Sequence, residues 1–186
     1  MSRARATDRA GRRRPAGKLV FVLGGATSGK SEVALRLAGR KRPRAFVATG
    51  QGLDKEMSTR IARHQATRSP DWDTVEVPVG LASWFAGHGK RYQTIILDCV
   101  TLWLSNVHRR TGAAATVGKR VEELLRAMRT TSATVVIVSN ELGLGLVPVG
   151  QSVRAFRDVA GRVNQQIAAE ADEVHFVISG MPLRLK

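Results

Sequence analysis

The stretch Gly24-Gly25-Ala26-Thr27-Ser28-Gly29-Lys30-Ser31 has the spacing G-x-x-x-x-G-K-[ST] of a phosphate-binding loop. The apolar run Leu19–Leu23 precedes it. Val33, Ala34, Leu37 and Ala38 follow it, at the three- and four-residue spacing that predicts a helix over Lys30–Arg40. A strand, a glycine-rich turn and a helix in that order give the spacing a mechanism. The glycines let backbone N–H groups turn onto phosphate oxygens, and the helix N-terminus adds partial positive charge. Lys30 supplies a point charge to the β- and γ-phosphates of a nucleotide, and Ser31 offers a hydroxyl to Mg²⁺.

Outward from this loop, short apolar runs alternate with helical patterns. Strands are predicted at Leu19–Leu23, Ala45–Ala48, Thr74–Val77, Thr94–Leu97, Thr134–Ser139 and Val174–Ser179. Most are continuous Val/Ile/Leu runs, as expected of strands buried on both faces. Further helices are predicted at Asp54–Thr67, Val117–Arg129 and Ser152–Ala171. In the last, Gly161 costs about 1 kcal/mol of helix propensity, which predicts a close packing contact there. The alternation implies an α/β fold of the P-loop NTPase type, a mostly parallel central sheet flanked by helices. Ligands of such sheets bind at the carboxyl ends of the strands. Asp98, ending Thr94-Ile95-Ile96-Leu97-Asp98, is therefore placed to hold Mg²⁺ with Ser31.

Among 186 residues, one domain with a substantial core is expected. Seven basic residues against Asp8 crowd the first 18 positions without apolar periodicity. Residues 1–17 are predicted to be a disordered Arg-rich tail, and 18–186 a single nucleotide-binding catalytic domain. The net charge of +15 could serve nucleic acid or phosphorylated small molecules. Aromatic content of only 5%, with no basic–aromatic interleaving, disfavours nucleic acid. No apolar run is long enough for a membrane span. The single cysteine, Cys99, excludes an internal disulfide framework and suits a cytoplasmic protein.

Thr49-Gly50-Gln51 follows a predicted strand, on the ligand side of the sheet. Arg60 and His64 are four apart and share a helix face, with Arg68 continuing the row. Nearby positive charge lowers an imidazole's pKa and keeps it nucleophilic, although such a histidine, taken alone, is more often a solvated surface residue. No Asn-Lys-x-Asp sequence reads guanine, since Asn140 is followed by Glu141. From the loop and Asp98 alone the chain is a phosphoryl or nucleotidyl transferase or an NTPase.

The order of several blocks narrows this. They are Gly24 to Ser31, Ala48-Thr49-Gly50-Gln51 with Asp54-Lys55-Glu56-Met57, Arg60-Ile61-Ala62-Arg63-His64, and Trp72-Asp73-Thr74-Val75-Glu76. Leu97-Asp98-Cys99-Val100-Thr101, Ser139 to Pro148, Phe156 to Gln165 and Ser179-Gly180-Met181-Pro182-Leu183 complete the set. In this order they resemble the bifunctional adenosylcobinamide kinase / adenosylcobinamide-phosphate guanylyltransferase family of cobalamin biosynthesis, over residues 18–186.

The resemblance implies two reactions. A nucleoside triphosphate, ATP or GTP, first phosphorylates the hydroxyl of adenosylcobinamide's aminopropanol arm. GTP then guanylylates a histidine, which passes GMP to the adenosylcobinamide phosphate. The histidine in the matching position is His64, with Lys30 as the second catalytic residue. The nucleotide contacts carried over are Gly24, Gly25, Ala26, Thr27, Ser28, Gly29, Lys30, Ser31, Thr49, Gly50, Gln51, Gln65, Ala66, Thr67, Arg68, Glu76 and Asp98. Ser31 and Asp98 are the implied Mg²⁺ ligands. A homo-oligomer, trimeric by resemblance, is implied too.

The chain departs from many relatives at Thr27, where they carry Arg, and at Gly50, where they carry Ser. Two other readings stand beside the bifunctional one. A small-molecule kinase without nucleotidyl transfer needs the loop and Asp98 but not His64. A nucleic-acid-binding P-loop module rests on the +15 charge alone.

Overall fold

The computed structural model of the chain describes residues 17–52, 55, 58, 59, 62, 69–111 and 117–186. Seven strands form one sheet in the order β3-β2-β4-β5-β1-β6-β7. They are β1 (Lys18–Gly24), β2 (Arg44–Ala48), β3 (Trp72–Glu76), β4 (Thr94–Asp98), β5 (Thr134–Asn140), β6 (Glu173–Ile178) and β7 (Met181–Arg184). All neighbouring pairs are parallel except β6 with β7. The helices are α1 (Lys30–Ala38), α2 (Leu81–His88), α3 (Val100–Thr111), α4 (Val117–Arg129) and α5 (Gln151–Glu170).

The central strands are apolar because both of their faces are covered. Alternate residues of β1 point to opposite sides. Leu19, Phe21 and Leu23 join one core with side chains from α2, α3, α4 and α5. Val20 and Val22 join the other with Val33, Ala34 and Ala38 of α1. On α4, Val117, Val121, Leu124, Leu125 and Met128 are buried, a stripe at helical spacing that faces the first core. Helix α1 ends at Ala38 because Gly39 takes φ 70°, a conformation glycine adopts without a Cβ penalty.

The predicted strands agree with the observed ones to within two residues at each end. Three elements were not predicted. Helix α2 carries Gly87 and is only 8 residues long. Helix α3 buries Val100, Trp103, Leu104 and Val107, an i, i+3, i+4, i+7 pattern that is plain in the sequence. Strand β7 follows a two-residue turn whose Ser179 and Gly180 both have positive φ (50° and 81°), as a type I′ hairpin requires. The predicted helix Asp54–Thr67 falls largely outside the described residues, of which 55, 58, 59 and 62 are helical.

At the amino-terminal boundary, Gly17 is already packed. Its carbonyl accepts from Arg129 Nη1 (2.8 Å). Arg129 also grips Asp172 through Nη1 (2.7 Å to Oδ2) and Nη2 (3.2 Å to Oδ1), and Asp172 Oδ2 accepts from the Leu19 N–H (2.7 Å). This clamp joins the starts of β1 and β6 to the end of α4. Among the described residues, no helix is long and apolar enough to cross a membrane.

Candidate active site

The loop between β1 and α1 is shaped by what its backbone must do. A Cβ on Gly24 would lie 2.4 Å from Ser28 Oγ and 2.8 Å from the Val177 carbonyl, so only glycine fits. Gly29 takes φ 87° and Thr27 φ 55°, which curls the chain around the place a phosphate would occupy. The loop is braced from behind. Gly180 N–H donates to the Ser28 carbonyl (2.8 Å), so the β6–β7 turn buttresses the phosphate loop.

The side chains within the loop are set for an anion. Lys30 is 8% exposed, and its Nζ donates to the Gly25 carbonyl at 3.0 Å, folding the ammonium back over its own loop. Ser28 Oγ is buried without a hydrogen-bond partner among the described residues. An orphaned hydroxyl of that kind costs about 1–3 kcal/mol, and a phosphate oxygen would satisfy it. Ser31 Oγ donates to Asp98 Oδ2 at 3.1 Å. Because β5 lies between β1 and β4, this bond bridges the end of an intervening strand.

Asp98 is held by its neighbours. Thr49 is fully buried; its Oγ1 accepts from the Cys99 N–H (2.9 Å) and donates to the Cys99 carbonyl (2.7 Å). Thr49 N–H donates to the Asp98 carbonyl at 3.0 Å. Thr49 thus fastens the end of β2 to the residue pair after β4. Burial, reinforced by the negative charge of Asp98, pushes the Cys99 thiol up to about 12, so it stays protonated and unreactive at neutral pH.

A second layer pins the segment after β2. The buried Asn106 of α3 donates through Nδ2 to the carbonyls of Thr49 (2.8 Å) and Pro78 (3.1 Å). Arg109 Nη2 then donates to Asn106 Oδ1 (2.6 Å) and Gln51 Oε1 (3.3 Å). Sequence reasoning missed both residues. Their signal was a polar pair, three apart, on a helix whose apolar pattern went unread.

The structure therefore brings residues 24–31, Thr49, Gly50, Gln51 and Asp98 to the carboxyl ends of β1, β2 and β4. Glu76 ends β3 at the same edge, in register with Ala48, and is exposed. His64, Gln65, Ala66, Thr67 and Arg68 lie outside the described residues. The donor set suits Mg²⁺, a hard cation that takes oxygen ligands and keeps several for phosphate and water. Ser31 and Asp98 supply two oxygens. Among the described residues no group of three or more His, Cys, Asp or Glu could hold a metal ion.

A family model described as "Cobinamide kinase / cobinamide phosphate guanyltransferase" matches residues 20–185. A Pseudomonas aeruginosa protein named "Bifunctional adenosylcobalamin biosynthesis protein CobP" is 39% identical over 167 residues, covering 89% of this chain and 96% of that protein. An Escherichia coli K12 protein named "Bifunctional adenosylcobalamin biosynthesis protein CobU" is 36% identical over 180 residues, covering 90% and 99%. Among solved structures, the P4 protein from bacteriophage phi6 in complex with ADP superposes with a TM-score of 0.50 at 16% identity. The match covers 98% of this chain but spans only 58% of the phage protein. A KaiC-like protein from Pyrococcus horikoshii OT3 gives a TM-score of 0.50 at 12% identity, covering 87% of this chain and 71% of that one. At such identities the likeness is one of fold, that of the P-loop NTPases.

Proposed function

This chain belongs to the cobinamide kinase / cobinamide phosphate guanyltransferase family, and on that premise we propose that both of its transfers run from one triphosphate centre, the loop of residues 24–31 with Asp98. The chain is a kinase and a nucleotidyltransferase of adenosylcobalamin biosynthesis. The observation that carries the single centre is the Ser31 Oγ–Asp98 Oδ2 bond of 3.1 Å beside Lys30. The sequence contains one G-x-x-x-x-G-K-[ST] and no second.

In the kinase step, Lys30 leaves the Gly25 carbonyl for the β- and γ-phosphates, and the N–H groups of the loop take their oxygens. Ser31 and Asp98 would hold Mg²⁺, which supplies positive charge against the phosphate oxygens when bound. The alcohol of cobinamide attacks the γ-phosphorus and the nucleoside diphosphate leaves. The loop of residues 24–31 reads phosphates, which ATP and GTP share, so either fits it as donor.

In the second step His64 attacks the α-phosphorus of GTP, a P–N bond forms and pyrophosphate leaves. The phosphate of cobinamide phosphate then attacks the same phosphorus, the P–N bond breaks, and GDP-cobinamide forms. Covalent catalysis of this kind divides one hard transfer between two easier ones. Support for His64 is its place in the sequence four residues after Arg60 and four before Arg68, the spacing of one helix face. Thr49, Gly50, Gln51 and Glu76, with Gln65, Ala66, Thr67 and Arg68, complete the proposed nucleotide contacts. A homo-oligomer is part of the reading, and the outer edge of β7, which among the described residues pairs with β6 alone and where Met181 and Leu183 are exposed, offers it a surface. Sedimentation of the full chain as a monomer would remove that part.

The test of the histidine is incubation of the full chain with Mg²⁺ and GTP labelled on the α-phosphate. Acid-labile, base-stable label on the wild type and none on His64→Ala is expected. Equal labelling of His64→Ala would overturn the assignment.

A further inference from the structure

We infer that the cleft between α5 and the β5–α5 loop is the acceptor subsite, and that it takes the amide-bearing rim of cobinamide; this rests on the function proposed above. The cleft has a volume of about 570 Å³ and is lined by Leu23, Glu141, Arg157, Asp158, Gly161 and Arg162, among others. Pockets of that size hold small organic ligands. It opens beside the phosphate loop: Leu23 immediately precedes Gly24, and the Glu141 N–H donates to the Gly24 carbonyl (3.0 Å).

Gly161 is the first argument. The sequence predicts a close packing contact for a glycine in mid-helix, and the structure corrects this. Among the described residues a Cβ there would meet nothing within 4 Å. The helix is weakened by about 1 kcal/mol with no packing contact among those residues to offset it. The space left by the absent side chain belongs to the cleft, where it admits a ligand against the helix backbone.

The charges are the second argument. Arg157, Asp158 and Arg162 line the cleft without an ion pair or hydrogen bond among the described residues. Arg44, Arg109, Arg129 and Arg154, by contrast, are each tied to carbonyls or carboxylates. Glu141, with Oε1 taken by the Gly143 N–H (2.7 Å), gives the cleft a second carboxylate. Two guanidiniums beside two carboxylates repel part of any simple anion. They match an array of carboxamides, whose C=O groups accept from arginine and whose NH₂ groups donate to carboxylates. Beyond Gly143 the loop exposes Leu144 (78%), Leu146 (96%) and Val149 (96%), an apolar margin suited to the face of a macrocycle.

The floor of the cleft is fixed in advance. Asn164 Oδ1 accepts from Ser139 Oγ (2.8 Å), and its Nδ2 donates to the Asn140 carbonyl (3.1 Å). Since the Ser139 proton is committed to Asn164, Thr101 Oγ1 is the donor in its 3.2 Å contact with Ser139.

The test is equilibrium dialysis of cobinamide, and separately of GTP, against the full-length wild type, Gly161→Leu and Arg162→Ala. Leucine is a good helix former and Arg162 is exposed, so both variants keep the fold. Each is expected to weaken cobinamide binding by about tenfold or more, the loss of one charge-assisted hydrogen bond or of the space itself, with GTP binding within about twofold of wild type. Wild-type binding with unchanged cobinamide affinity in both variants overturns the inference alone. A wild type that binds no cobinamide overturns it together with the proposed function.

Discussion

The phosphate loop and the cleft beside α5 meet at adjacent residues of β1, Gly24 and Leu23, and they are built differently. Around the loop most polar groups already have partners, the Ser28 hydroxyl excepted: Lys30 on Gly25, Ser31 on Asp98, Thr49 on Cys99, Asn106 on Thr49 and Pro78. Around the cleft, Arg157, Asp158 and Arg162 stand without partners among the described residues, above a fixed floor. Triphosphates present the same oxygens whatever their base, so their site can be organised in advance. A bulky acceptor brings its own hydrogen-bonding rim, and a site that must admit it keeps its polar groups uncommitted.

Breaking the loop should have the largest effect. Lys30→Ala removes the point charge on the transferred phosphates and is expected to lower phosphorylation of cobinamide by about 10²–10³-fold, read as turnover at saturating GTP. A smaller loss would mean that the folded-back lysine does not swing to the nucleotide.

Next comes Thr49→Val, which keeps the shape but strands the buried N–H of Cys99 and leaves the Cys99 carbonyl only its bond from the Trp103 N–H. It should cost about 1–3 kcal/mol of stability in urea unfolding. At the cleft, Gln165→Ala should stay within about 0.5 kcal/mol of wild type. Equal effects at the two positions would erase the contrast between a committed and an uncommitted region.

A third measurement probes the base of the sheet, remote from both sites. Burial pushes the Asp172 carboxyl up, but its hydrogen bonds from Arg129 and Leu19 and the charges of Arg129 and Lys186 outweigh this and hold it below the usual value. A depressed carboxyl stabilises the fold fully above its unfolded pKa of about 3.9, and that contribution is lost as pH falls through the folded value. Asp172→Asn should therefore lower Tm at pH 7 and converge with wild type in strong acid. A constant difference at every pH would assign the effect to packing.

The smallest effect is a gain. Gly161→Ala should stabilise α5 by up to about 1 kcal/mol, since nothing stands in the way of the new Cβ. A loss of stability would show that the cleft is smaller than described.

Much of this could be read from the chain. The loop of residues 24–31 is legible because glycine, lysine and serine at that spacing have one shared physical use, and β1, β4 and β5 because strands buried on both faces are nearly all Val, Ile and Leu. Asp98 follows from its strand end. Contacts set by tertiary neighbours were not legible. Nothing local to Gly180 announces that it braces Ser28, and Asn106 looks like any polar residue on a helix until Thr49 and Pro78 are placed beside it. Gly161 misled because a mid-helix glycine is explained equally by a neighbour pressed against it and by a space kept open.

The most direct test of the single triphosphate centre is one assay of Asp98→Asn beside wild type, with GTP labelled separately on the α- and γ-phosphates. Cobinamide is the acceptor for the γ-label and cobinamide phosphate for the α-label. The account predicts that the variant loses both transfers together, by comparable factors. Guanylyl transfer at the wild-type rate, with phosphorylation abolished, would contradict it and require a second nucleotide site.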